Sequence, residues 1–140
     1  MTYKARAERN RTLTLNDSEH KKYKEYLITL DKITESGIKP NSIVNSNLFE
    51  VLDYIEDCSV DLAIIDPPYN LTKNFNGKKF SEMSSNEYEA YLRSWLPTVC
   101  KKLKNNGSLY ICGDWKCTSS LQRVLEEELT ILNRITWQRE

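Results

Sequence analysis

Two adjacent prolines at the end of an apolar run constrain this chain more than any other feature. Residues 61–70 read Asp-Leu-Ala-Ile-Ile-Asp-Pro-Pro-Tyr-Asn. Leu62 to Ile65 are apolar without alternation, the pattern of a strand covered on both faces of a parallel sheet, and a short buried helix shares that pattern. The prolines break the tie. Pro67 pushes Asp66 out of the helical region and Pro68 does the same to Pro67, so the chain must leave the strand extended and stiff. Asp66 therefore sits at a strand's carboxyl end, and open α/β sheets bind their ligands in the crevice outside those ends.

Those residue types suit one chemistry. The exocyclic amine of adenine is a poor nucleophile because its lone pair is delocalised into the ring. Hydrogen bonds from its two N–H groups to the Asp66 carboxylate and the Pro67 carbonyl favour a pyramidal nitrogen and aim the lone pair at a methyl donor. Acceptors held in place act by orientation and electrostatics. Asp66 stabilises the positive charge that develops on nitrogen and takes the proton afterwards. Tyr69 offers a face on which an extruded base stacks, worth roughly 1–3 kcal/mol per base, against a flipping cost of about a few kcal/mol.

The flanking sequence has the grammar of an α/β domain. A strand ends at Asn45 and Asn47, and a helix follows over Phe49 to Ile55. Ser84 with Glu87 forms a capping box, and Tyr88, Tyr91, Leu92, Trp95, Val99 and Leu103 recur at helical spacing, an apolar core stripe on a helix expected to kink at Pro97. Gly107 reads as the helix stop before a strand over Ser108 to Cys112. Leu121, Val124, Leu125 and Leu129 form one face of a further helix, and Ile131, Ile135 and Trp137 mark a last strand. Alternating strands and helices imply right-handed crossovers and a mostly parallel sheet. Residues 1–40 read as a separate basic helical extension: Thr12 to Leu15 alternate like a strand, Asn16 or Asp17 caps a helix faced by Tyr23, Tyr26, Leu27 and Leu30, and Gly37, Pro40 and Asn41 mark the boundary. That helix is expected to pack, with its charged side in solvent.

The 140 residues carry no net charge, but the charge is unevenly spread. Residues 1–40 hold nine Lys or Arg against six acids, whereas residues 41–70 hold six acids and no base. Lys73, Lys78 and Lys79 then follow the double proline in a polar loop with Phe75 and Phe80. The loop reads either as a phosphate-contacting segment beside an extruded base or as a solvated loop. Asp114, with Trp115, lies past the Cys112 strand and either lines the base pocket or forms a surface turn. Cys58, Cys100, Cys112 and Cys117 have no C-x-x-C spacing and read as reduced thiols, and His20 alone gives no metal site. No run is long enough for a membrane span and no signal peptide is visible, so a cytoplasmic chain, associated with the nucleoid, is expected.

Asp66-Pro67-Pro68-Tyr69-Asn70 resembles the DPPY motif of amino-group DNA methyltransferases that use S-adenosylmethionine, particularly the adenine-N6 enzymes. The order of the surrounding elements is similar to the permuted β class, in which the catalytic half comes first, and the resemblance spans residues 41–140. It implies a partial doubly wound, mostly parallel sheet of the class I methyltransferase type, lacking its central cofactor-binding strands. It further implies catalytic roles for Asp66, Pro67, Pro68 and Tyr69. The cofactor would lie near Asp66 and near Asn47, where the family often has an acid by the cofactor's adenine. Double-stranded DNA would meet Tyr69, Asn70, Lys73, Lys78, Lys79 and Asp114. A restriction endonuclease is the companion such enzymes often have.

One departure matters. The F-x-G-x-G loop for the methionine end of the cofactor is absent, since Gly37, Gly77, Gly107 and Gly113 stand isolated. The chain is thus expected to be the N-terminal, catalytic-motif portion of a longer enzyme, inactive by itself. Two alternatives stand beside an active adenine enzyme: an inactive remnant or partner-dependent module, and a cytosine-N4 enzyme, although that branch more often has serine at the position of Asp66.

Overall fold

The computed structural model describes residues 14–33, 37–75 and 77–137. The chain divides into two compact units, Met1–Asn47 and Leu48–Glu140.

In the first unit, Asn16 caps helix α1 (Asp17–Lys24) by a reciprocal capping box. Its Oδ1 accepts from Glu19 N–H, and Glu19 Oε2 accepts from Asn16 N–H, both at 2.9 Å. Acids in the first turn and lysines in the last complement the helix dipole. The expected packing face is not present: α1 buries no residue and stops at Lys24, leaving Tyr23 and Tyr26 exposed. Leu27 instead enters a two-residue strand, β1 (Leu27–Ile28), parallel to β2 (Ile43–Val44), and Leu30 lies in a 3-10 turn. The ladder takes Leu27 because β2 offers its backbone there, which outweighs helical periodicity. The pairing also joins residues 43 and 44 to the amino-terminal segment. Of the strand expected over Thr12 to Leu15, residues 12 and 13 lie outside the described residues, and Thr14 and Leu15 are not in a strand.

The second unit begins with α2 (Leu48–Val51), which runs into a 3-10 turn over Leu52–Tyr54 and buries Val51 and Leu52. Strand β3 (Val60–Ile65) ends where Pro67 requires. After a short hairpin, β4 (Lys73–Phe75) and β5 (Lys78–Phe80), come α3 (Ser85–Arg93), α4 (Leu96–Lys102), β6 (Leu103–Ile111) and α5 (Thr118–Glu126). Ser84 caps α3 with Glu87 as the sequence implies. Pro97 does not kink one long helix. It lies in the first turn of α4, where its missing N–H would have no intrahelical partner in any case.

β3 and β6 pair in parallel, with Leu62 opposite Ser108 and Ile65 opposite Ile111. Gly107 is not a helix stop. It lies inside β6 at an irregularity where Val60 pairs with Leu103 and Leu62 with Ser108, so several residues of β6 face one of β3. A Cβ on Gly107 would lie 2.9 Å from the Val60 carbonyl oxygen and 3.0 Å from that of Lys104, so a side chain there would force the backbone to shift.

The helical stripe is core as expected: Tyr88, Leu92, Trp95, Leu96 and Val99 pack with Leu121, Val124 and Leu125 of α5. Arg123 pairs with Glu89, and Arg93 with Glu89 and Glu127, so an ion-pair network joins α3 to α5. Ile65, Leu109 and Ile111 meet this core. The opposite face of the strands carries Leu62, Ile64 and Tyr110, which are exposed, so this unit covers one sheet face and not the expected two. Residues 131–137 form no strand, and Leu132, Ile135 and Trp137 are largely exposed. Strand propensity alone does not make a strand, because it reflects packing on a pleated neighbour.

Candidate active site

The double-proline turn is anchored at its start by the sheet and at its end by α3. Cys112 donates its N–H to the Ile65 carbonyl at 2.8 Å, so pairing continues to the residue before Asp66. Asp66 itself is exposed, Pro67 is buried, and Pro68, Tyr69 and Asn70 are half-buried. The Tyr88 hydroxyl donates to the Pro68 carbonyl at 3.3 Å. The Asn70 side-chain amide donates to the Met83 carbonyl and accepts from Met83 N–H, both at 2.8 Å. The Asn70 amide is thus committed to the Met83 backbone, whose half-buried groups need both partners.

Tyr69 and Asp66 are coupled. Hydrogen bonding toward the Asp66 carboxylate, with burial and the carboxylate's charge, pushes the Tyr69 hydroxyl up to about 12. Lys73 Nζ lies 5.9 Å from the Tyr69 ring centroid, close enough for a weak cation–π attraction. Burial, as the largest cause, also raises the Tyr88 phenol, which therefore keeps its proton and its role as donor.

The basic loop is the β4–β5 hairpin, closed by Asn74 Oδ1, which accepts from Gly77 N–H at 2.8 Å, with Gly77 at φ +92°. Lys73 is opposite Phe80 and Asn74 opposite Lys79 in the register. Strand alternation puts Lys73 on one face and Lys79 on the other, so these two lysines do not converge. Lys78 is placed by backbone register alone, opposite Phe75.

Asp114 caps a 3-10 turn over Trp115–Cys117, its carboxylate accepting from Lys116 N–H at 3.0 Å. Because β3 and β6 are parallel neighbours, this turn and the Asp66 turn leave the same end of the sheet. The cap displays Trp115, which is 75% exposed, beside Lys116. Asn47 closes the first unit, and Asp66 belongs to the second. The sequence treats Tyr88 as core alone; a tyrosine where phenylalanine would pack is the signal that its hydroxyl has a partner.

The glycines do not form a cofactor cradle. Gly107 serves the irregular pairing, Gly77 lies in the hairpin turn and Gly37 has a positive φ, while a Cβ on Gly113 would meet Leu121 Cδ1 at 2.4 Å. The described residues thus present acceptors for an amine but no glycine-rich loop that fits the methionine end of S-adenosylmethionine. Two open depressions of about 550 and 400 Å³ flank α1 in the first unit and do not include the Asp66 turn. Among the described residues no group of His, Cys, Asp or Glu could hold a metal ion, and no helix is long and apolar enough to cross a membrane.

Residues 65–70 thus place an exposed Asp, two prolines and a half-buried Tyr at the carboxyl end of β3. The family model described as DNA methylase matches residues 60–140, and the chain belongs to that family. It is 39% identical over 98 residues to the type II methyltransferase M1.MboII of Moraxella bovis, covering 69% of this chain and 36% of that protein. It is 34% identical over 97 residues to M.HpaI of Haemophilus parainfluenzae (68% and 31%). It is 29% identical over 104 residues to the DNA adenine methyltransferase YhdJ of Escherichia coli K12 (74% and 35%). The chain spans about a third of the length of these curated relatives.

Proposed function

We propose that this chain is the amine-holding part of a DNA methyltransferase acting on adenine N6. The carrying observation is an exposed Asp66 at the carboxyl end of β3, followed by a turn whose prolines and external hydrogen bonds fix its shape. An extruded adenine would place one N–H on the Asp66 carboxylate in place of the Tyr69 O–H, place the other on the Pro67 carbonyl, and stack on Tyr69. Asp66 balances the charge that develops on nitrogen and receives the proton. S-adenosylmethionine would supply the electrophilic methyl group and leave as S-adenosylhomocysteine, with Asp66 on the side of the cofactor as well as of the amine. The β3–β6 pair would belong to a doubly wound sheet of the class I methyltransferase type. Lys73 and Lys79 supply phosphate contacts to double-stranded DNA, and a restriction endonuclease with the same recognition site is the expected companion. Cytoplasmic location, by the nucleoid, follows from that substrate.

Transfer of labelled methyl from S-adenosylmethionine to DNA by the full-length protein, followed by nucleoside analysis, tests the reading. Label in N6-methyladenine supports it, and label in N4-methylcytosine moves the target amine to the alternative.

A second reading follows from the glycines: a module that works only with a complementing cofactor-binding chain. Titration calorimetry of S-adenosylmethionine into these 140 residues separates the two. Micromolar binding by the chain alone would refute the second.

A further inference from the structure

A turn with two consecutive prolines lacks two backbone donors, so it has little means of holding its own shape. Among the described backbone hydrogen bonds, one is internal to it: Leu71 N–H to the Tyr69 carbonyl, at 2.6 Å. The remaining fixed points come from the start of α3. Met83 immediately precedes the Ser84 cap, whose box with Glu87 sets the helix origin. The Asn70 amide meets Met83 at both of its backbone groups, as a strand neighbour would. One turn into α3, the Tyr88 ring is fully buried and lies 6.0 Å from Tyr91 in a stacked arrangement, so its hydroxyl is carried on a lever with no rotamer freedom. That hydroxyl reaches the Pro68 carbonyl. The two contacts bracket Tyr69 in sequence and fix the peptide on either side of it.

We propose that Asn70 and Tyr88 are positioning residues: Asn70, through Met83, and Tyr88, through the Pro68 carbonyl, set the direction in which Asp66, the Pro67 carbonyl and Tyr69 present themselves to the substrate amine. Neither touches that amine. The structural part stands by itself, and its catalytic consequence rests on the methyl-transfer reading above. Displacing a reacting geometry by about 1 Å can cost on the order of a hundredfold in rate, so small changes in the turn have a measurable effect.

The test uses Tyr88→Phe, which keeps the ring and removes the hydroxyl, and Asn70→Ala. Hydrogen exchange is measured on the full chain at the Leu71 amide, the turn N–H with a described backbone acceptor, with Ala63 and Ile64 of β3 as the internal reference. The expected result is exchange at least tenfold faster at Leu71 with the β3 amides unchanged. An unchanged Leu71 amide, or equal acceleration in β3, would overturn the proposal, the latter because it would show general destabilisation. In methyl transfer by the full-length protein, both variants are expected to lower kcat at least tenfold with KM for S-adenosylmethionine within twofold. A kcat within twofold of wild type, or a loss confined to KM, would also overturn it. A wild-type protein that transfers no methyl defeats the catalytic reading instead, and the exchange result still decides whether these side chains shape the turn.

Discussion

Ile65 accepts a 2.8 Å hydrogen bond from Cys112 N–H, which keeps β3 and β6 paired to the last residue before Asp66. The carboxylate is thus set one residue beyond a fixed ladder, on a turn that cannot become helix. This arrangement makes the consequences of single substitutions specific.

Tyr69 should titrate abnormally. Its folded value, about 12, lies above the ordinary 10, so its contribution to stability is fully present below pH 10 and is lost as pH rises through 12. The difference in unfolding free energy between wild type and Tyr69→Phe should shrink over that alkaline window. Replacing Asp66 with Asn, which removes the charge and the strongest acceptor, should return the Tyr69 titration toward 10 in ring NMR.

Gly107→Ala should destabilise the second unit by about 1–3 kcal/mol, because the added methyl meets two backbone oxygens that cannot swing aside. Thermal unfolding checks this. A change under about 0.5 kcal/mol would mean that the irregular pairing relaxes freely.

Ser84→Ala should cost about 1 kcal/mol through loss of the α3 cap. Hydrogen bonds from Ser84 hold Glu87 below the usual carboxylate range, so the stability it contributes is present above its unfolded value and is lost as pH falls through the lowered one. In urea unfolding the gap between wild type and variant should narrow from neutral to acid pH but persist, because the Ser84 Oγ still accepts from Glu87 N–H.

Lys73→Ala should weaken DNA binding and reduce the salt dependence of its affinity by about one unit of slope, because Lys73 shares a side with Tyr69. Lys79, on the other hairpin face, should have the smaller effect on affinity for a duplex seated at Tyr69. Titrations of both variants at several salt concentrations compare them.

Much of the site is legible in sequence because it is local. Two prolines dictate the exit from β3, and Ser84 and Glu87 dictate the start of α3, each by rules that span a few residues. What is not legible depends on distant partners. Gly107 has the signature of a helix stop, yet it is required by a carbonyl of β3 that no spacing reveals. Asn70 has the composition of a DNA contact, yet it is claimed by Met83, thirteen residues away. Leu27 continues a helical period but pairs with Ile43. Ile135 and Trp137 have strand propensity, yet residues 131–137 form no strand. Pro97 shows that a proline in a periodic stretch can begin a second helix as readily as bend the first.

The central claim is that Asp66 holds the substrate amine. Labelled methyl transfer to DNA by the full-length protein and by its Asp66→Ala variant tests it most directly. Because Asp66 is exposed, the variant should still fold, with loss of the Tyr69 contact costing about 1 kcal/mol. Its kcat should fall by roughly two to three orders of magnitude, the loss typical when one fixed electrostatic partner is removed. A folded Asp66→Ala protein that methylates DNA at the wild-type rate would contradict the account.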